Sequence, residues 1–306
     1  MRIELNPLGL IKFPADKISW ADHSLLQPTP ILIDEETIRV FCGMRDERGI
    51  GKIGYIDLSA KNPIEVLDIS TEPVLESGED GRFDDNGVIP CAVIKVDGVY
   101  RIYYAGYQPG NKVRFIAFSG LAMSEDGKNF KRYKQTPILE RTDEAPLFRV
   151  IHSMVEEDDG WLIWYGGGDR FQQGKSKTLP VYNIRHMYSK DGLHFPERGE
   201  LAVDIAGDEY RIGRPFVVKT EKNYIMFYGY GSEKHPYKLG MAISSDAKNW
   251  IRQDQSLIIN GDIKAWENEM RAYPSVIRTK FGNYFFYNGN QYGYDGFACC
   301  KIEGLD

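Results

Sequence analysis

Apolar and aromatic positions fall into short runs, many of them β-branched, and turn-forming segments such as DG, DDG, EKN and FGN separate them. No long 3.6-residue period interrupts this pattern, so the elements it predicts are strands. One kind of run recurs five times as an aromatic strand ending near a small residue: IRVFCG (38–43), YRIYYAG (100–106), WLIWYGG (161–167), YIMFYGY (224–230) and YFFYNGN (284–290). Aligned on Cys42, Tyr104, Tyr165, Tyr228 and Tyr287, the copies are spaced 62, 61, 63 and 59 residues apart. A second run precedes each one: PTPILI, PCAVIKV, SMVEE, PFVVK and PSVIR. Its marks, Pro28, Pro90, Ser153, Pro215 and Pro274, are spaced 62, 63, 62 and 59 residues apart. Two independent marks with one period identify a repeat architecture.

A third segment follows in three units: SEDGKNF (124–130), SKDGLHF (189–195) and SSDAKNW (244–250). Its Asp-Gly or Asp-Ala pair suits a tight turn, and the aromatic residue three positions on suits packing between sheets. Five units of about four strands predict an all-β fold, a five-bladed β-propeller forming a single domain over residues 1–306. The blades are expected at about 20–75, 80–140, 145–200, 207–258 and 264–303, with the N-terminal segment adding a strand that closes the last blade.

Composition narrows the function classes. The formal net charge is −6 and no block of like charge occurs, which argues against nucleic acid as a partner. No apolar stretch approaches a membrane span, and the N-terminus has no secretory leader pattern. The four cysteines, Cys42, Cys91, Cys299 and Cys300, have no metal-ligand spacing and read as small strand residues. A reduced, cytoplasmic protein is therefore expected, with no cofactor and no metal. No P-loop, dinucleotide fingerprint or nucleophile elbow is present.

The units FDDNGVIPCAVIKVDGVYRIYYAGY (83–107), YNIRHMYSKDGLHF (182–195), RIGRPFVVKTEKNYIMFYGYG (211–231) with LGMAISSDAKNW (239–250), and YPSVIRTKFGNYFFYNGNQYG (273–293) carry a resemblance. Across essentially the whole chain they resemble the five-bladed propeller superfamily of glycoside hydrolases and phosphorylases that includes families 32, 43, 62, 68 and 130. The resemblance implies a carbohydrate-related role. It also exposes a departure. Family 43-like enzymes carry an Asp directly before the first-blade proline and a Glu two residues before a later one; here Gln27 and Gly213 stand there. The family 130 pattern places an acid in the second blade where this chain reads Gly87-Val88-Ile89-Pro90.

In a propeller, the starts of the inner strands and the ends of their neighbours converge on one axial funnel. The residues so placed are polar and charged. Asp85 and Glu269 each lie five residues before their register proline, which makes them the expected catalytic pair, Glu269 as general acid and Asp85 as base or nucleophile. Arg149, His152, Arg211 and Arg214 cluster at the starts of the third and fourth units and form an expected anion-binding wall, since arginine forks match phosphate or carboxylate oxygens. Asn86, Asp169, Arg271, Tyr273 and Asn290 complete the expected substrate contacts. Pairing of the arginines with Asp84, Asp85, Glu267 and Glu269 is the structural alternative. The expected function is therefore a glycoside hydrolase- or phosphorylase-like, carbohydrate-active protein. It binds a small, anionic saccharide, phosphorylated or nucleotide-linked. The alternative is a sugar-binding or sugar-transferring propeller of polysaccharide metabolism without hydrolysis.

Overall fold

The computed structural model describes residues 1–305. The chain is almost wholly β-structure, organised as antiparallel meanders. The first meander comprises His23–Leu32, Thr37–Arg45, Gly51–Ser59 and Val66–Ile69. The second runs through Val88–Val96, Val99–Pro109, Phe115–Ser124 and Lys131–Arg132. The third runs through Phe148–Glu157, Gly160–Gln173, Thr178–Ser189 and Glu200–Val203. The fourth comprises Glu209–Lys219, Tyr224–Ser232, Lys238–Ser244 and Ile251–Arg252.

The last meander contains Ala272–Thr279, Gly282–Asn288 and Gly296–Glu303. The N-terminal strand Ile3–Lys12 pairs antiparallel with Gly296–Glu303, and Leu257–Ile259 adds a parallel strand outside it. The second, third and fourth meanders form one continuous sheet because one or two parallel pairs bridge them: Phe148 with Ala117, Arg149 with Phe118, and Tyr182 with Arg211.

The first strand of each meander lies against the first strand of the next, and that of the last meander lies against that of the first. Side chains on both faces of these strands are therefore covered, which explains runs such as PTPIL and VIPCA with few polar breaks. Aromatic residues fill the space between meanders. Phe41 meets Phe130 edge-on at 5.5 Å, and Phe227 meets Phe285 at 5.2 Å.

The register tyrosines anchor the meanders internally. Tyr104 donates its hydroxyl to Asp84 at 2.9 Å, Tyr228 to Asp254 at 2.5 Å, Tyr287 to Glu267 at 2.6 Å, and Tyr165 to Glu144. Each carboxylate is also paired with an arginine: Asp84 with Arg132, Glu144 with Arg185, Asp254 with Arg252 and Glu267 with Arg271. A tyrosine–carboxylate–arginine clasp thus recurs in four meanders; the first has Cys42 at the register position. Arg271, expected to face substrate, belongs to such a clasp, with Nε 2.8 Å from Glu267.

The three S-x-D turns form as their sequence implies. The carboxylates of Asp126, Asp191 and Asp246 each accept backbone N–H groups two and three residues on. The following residues, Gly127, Gly192 and Ala247, adopt φ of 70°, 69° and 62°. No helix among the described residues is long and apolar enough to cross a membrane.

Candidate functional site

Each first strand carries a bulge where its pairing register shifts: between Leu26 and Thr29, Pro90 and Ala92, Ile151 and Ser153, Gly213 and Phe216, and Ala272 and Ser275. The residue immediately before each register mark, namely Gln27, Ile89, His152, Arg214 and Tyr273, lines one cavity of about 890 Å³. Gln27, Arg214 and Tyr273 hold left-handed φ angles of 53°, 52° and 59°. Each precedes a proline, whose ring bars the preceding residue from the right-handed helical region. A left-handed non-glycine residue costs about 1–2 kcal/mol. Three such residues around one opening mark strain concentrated where side chains must be aimed.

Arg214 is 3% exposed. Its guanidinium donates to Thr29 Oγ1 at 3.0 Å and, at 3.4 Å, to the carbonyls of Pro28 and His152, while its Nε has no partner. Burial pulls its pKa down to about 10, partly opposed by Cys91 and Tyr273, so it stays cationic at neutral pH. Burial, and then the neighbouring Arg214, hold His152 well below the usual imidazole range, so it is neutral there; its Nδ1 is also without a partner. Cys91 lies beside this pole, its thiol 3.5 Å from Gln27 Oε1, and burial pushes it up to about 12. It is a protonated packing residue, not a nucleophile.

Arg211 packs flat on Tyr237, 3.7 Å from its ring centroid, and 4.8 Å from that of Tyr210. Tyr237, Tyr273 and Tyr292 pack together with centroids about 6 Å apart. Tyr292 enters this group from a turn in which Gln291 and Tyr292 both hold left-handed φ, at 52° and 61°.

Asn86, His152, Arg211, Arg214, Glu269 and Tyr273 are brought together on the cavity wall. Five other residues proposed from sequence lie off it. Asp85 accepts the backbone N–H of Gly81 at 2.9 Å, closing its own loop. Arg149 is buried, donates to the carbonyls of Glu140, Pro196 and Glu197, and lies 3.8 Å from the Glu144 carboxylate. Asp169 pairs with its neighbour Arg170 beside a separate, smaller depression. Arg271 is held in its clasp. Asn290 accepts the backbone N–H groups of Glu269 at 2.9 Å and Met270 at 3.1 Å, so it positions the Glu269 loop from behind.

Sequence reasoning did not single out Arg114, Lys175, Lys177, Tyr182, Tyr210, Tyr237 or Glu233, which also line the cavity. The signal for the two lysines was the third unit's segment GDRFQQGKSKTLPVYN, which is longer than the corresponding segment of any other unit. Six cationic side chains line the cavity: Arg45, Arg114, Lys175, Lys177, Arg211 and Arg214. Among the described residues, none of these six forms an ion pair, whereas the clasp arginines and the buried Arg39 each hold a carboxylate. Two carboxylates line the same space. Glu233 accepts the backbone N–H of Lys175, and the Glu269 side chain has no hydrogen-bond partner among the described residues. No cluster of His, Cys, Asp and Glu suited to a metal is found among the described residues.

No protein-family model matches the chain. An uncharacterized protein of Mycobacterium tuberculosis is 28% identical over 300 residues, covering 97% of this chain and 98% of that protein. A 1,2-beta-oligomannan phosphorylase of Thermoanaerobacter sp. is 25% identical over 231 residues, covering 74% of this chain and 72% of that enzyme. Among solved structures, one described as showing that the GH130 family of mannoside phosphorylases contains glycoside hydrolases targeting beta-1,2 mannosidic linkages in Candida mannan is 12% identical. It superposes with a TM-score of 0.70, covering 100% of this chain and 97% of the other. At that identity the likeness establishes a shared fold with carbohydrate-cleaving proteins.

Proposed function

We propose that the chain is a five-bladed β-propeller forming one domain, and that it is a carbohydrate-active protein of the glycoside phosphorylase type, binding an anion together with a saccharide in the axial cavity. The cyclic contact of the five first strands supports the blade count. The observation that carries the function is the charge of the cavity. Six cations without ion-pair partners among the described residues gather there, in a protein whose acids outnumber its bases 44 to 38. Of the six only Arg214 is buried, and its unpaired charge is costly unless a ligand compensates it.

A hydrolase of the usual kind needs two working carboxyl groups. Here the cavity carboxylates are Glu269, which is free, and Glu233, which accepts the Lys175 N–H, while Asp85 lies off the wall and closes its own loop. Phosphate held by Arg214 and His152 removes the need for a base, because it is already a nucleophile. It attacks the anomeric carbon, the glycosidic C–O bond breaks, and the leaving oxygen takes the Glu269 proton. The products are a sugar 1-phosphate and the shortened saccharide. Arg214 balances the phosphate charge, and the tyrosines offer faces for sugar rings.

The test is incubation with β-1,2-oligomannan and inorganic phosphate, scored as sugar 1-phosphate. Release is expected to require phosphate and to fall by about 10²–10⁴ in Glu269→Gln, the usual worth of a general acid. Equal cleavage in phosphate-free buffer would contradict phosphorolysis. Phosphate binding without cleavage of any glycoside would favour the second reading, a sugar-binding or sugar-transferring propeller of polysaccharide assembly. The engagement of Asp85 by Gly81 is also consistent with that reading.

A further inference from the structure

The third meander departs from the others in one respect. Its second and third strands, Gly160–Gln173 and Thr178–Ser189, are 14 and 12 residues long, against 11 and 10 in the second meander and 9 and 7 in the fourth. The extra length forms a hairpin beyond a register break at Gly167 and Arg170. It stays paired to its end, Gln173 with Thr178, and turns through Gly174–Lys177 with the Gly174 N–H on the Lys177 carbonyl at 3.0 Å.

The hairpin is fastened on both sides. Phe171 packs against Phe115 and Phe148 of the neighbouring strands, at centroid distances of 6.2 and 5.3 Å. Leu179 is buried beside Tyr210. At the tip, the Glu233 carboxylate accepts the Lys175 backbone N–H, which leaves the lysine ammonium groups uncommitted. Lys175 and Lys177 are exposed yet line the cavity, as does Arg114, which precedes the aromatic residue that Phe171 packs on. An apolar band that includes Tyr107, Phe115 and Tyr182 belongs to the same packed cluster as Cys91 beside the Arg214 pole. The cavity therefore has a second group of cations on the hairpin side.

We propose that this hairpin is a fixed basic flap that holds a second anionic group of the saccharide, so that the substrate is itself a charged sugar carrying a phosphoryl, pyrophosphoryl or carboxylate substituent away from its reacting end. This rests on the reading of the cavity as a saccharide and phosphate site. Lys175 and Lys177 supply point charges on flexible stems suited to an exposed anion, with the Arg114 guanidinium beside them, whereas the buried Arg214 fork serves the inner one.

The experiment is calorimetric titration of the full chain with inorganic phosphate, mannose, mannose 6-phosphate, GDP-mannose and glucuronate, repeated with the double variant Lys175→Ala/Lys177→Ala. Both lysines are exposed, so the fold is expected to persist, and the thermal unfolding temperature checks this. Wild type is expected to bind at least one charged sugar about tenfold or more tighter than mannose. The double variant is expected to lose that advantage and keep its phosphate affinity. Which of the three charged probes gains identifies the substituent. Equal binding of charged and neutral sugars by wild type, or an unchanged advantage in the double variant, would overturn the flap assignment while leaving the inner site standing. Failure of wild type to bind inorganic phosphate or any saccharide would overturn the underlying reading, and the flap assignment with it.

Discussion

Two buried arginines separate structure from function at the scale of single residues. Arg39 is held by Asp57 in a two-bond fork at 2.8 and 2.6 Å and lies 3.8 Å over the Tyr55 ring. Removing it strands a buried carboxylate, so Arg39→Met is expected to cost about 3–5 kcal/mol in chemical denaturation. Arg214 is equally buried but has only a hydroxyl and two carbonyls. Arg214→Met removes an uncompensated charge. Its stability is expected to stay within about 1 kcal/mol of wild type or to rise, while phosphate affinity and its salt dependence are lost. A large loss of stability in Arg214→Met would make that residue structural. His152 gives a pH signature. The unfolded chain takes up a proton on this imidazole near pH 6.5, whereas the native state resists it because of burial and the adjacent guanidinium. Stability therefore falls as pH drops below about 6.5, and His152→Gln is expected to flatten part of that slope. His23 and His186, whose pKa values burial also lowers, add to the slope in the same direction.

Among elements, the clasps explain why carboxylates that look alike in sequence differ in role. Asp84, Asp85, Glu267 and Glu269 all sit just before a first strand. Asp84 is taken by Tyr104 and by Arg132, 48 residues on, a pairing set by sheet geometry that no local pattern reveals; Glu267 is taken by Tyr287 and by Arg271, four residues on. Glu269 has neither, which is why it remains available. In Tyr104→Phe the fully buried Asp84 loses one of its donors, with an expected cost of about 1–3 kcal/mol by denaturant midpoint. A cost near zero would show that water enters and replaces the hydroxyl. The turn aspartates add an acid limit. Hydrogen bonds from the backbone and from Asn129 and Asn249 hold Asp126 and Asp246 below the usual carboxylate range. Their contribution is present above about pH 4 and is lost as pH falls toward their folded values.

For the whole molecule, repetition made the architecture legible. The spacing of Pro28, Pro90, Ser153, Pro215 and Pro274 already identified the strands, and the residues one step earlier are the ones aimed into the cavity. His152, Arg214 and Tyr273 could be read in this way because the bulge repeats with the unit. Lys175 and Lys177 could not, because they sit at the tip of a hairpin that outruns its counterparts in the other units, and Arg149 could not, because its carbonyl partners lie up to 48 residues away in sequence. Charge is segregated in the molecule: the clasp arginines are paired within the meanders, and the cations around the cavity are not. The most direct measurement is a crystal structure of the protein grown without sulfate or phosphate and then soaked in phosphate. Phosphate is expected within hydrogen-bond distance of the Arg214 guanidinium, beside His152. Density for phosphate only elsewhere on the surface, with that guanidinium unchanged at saturation, would contradict it.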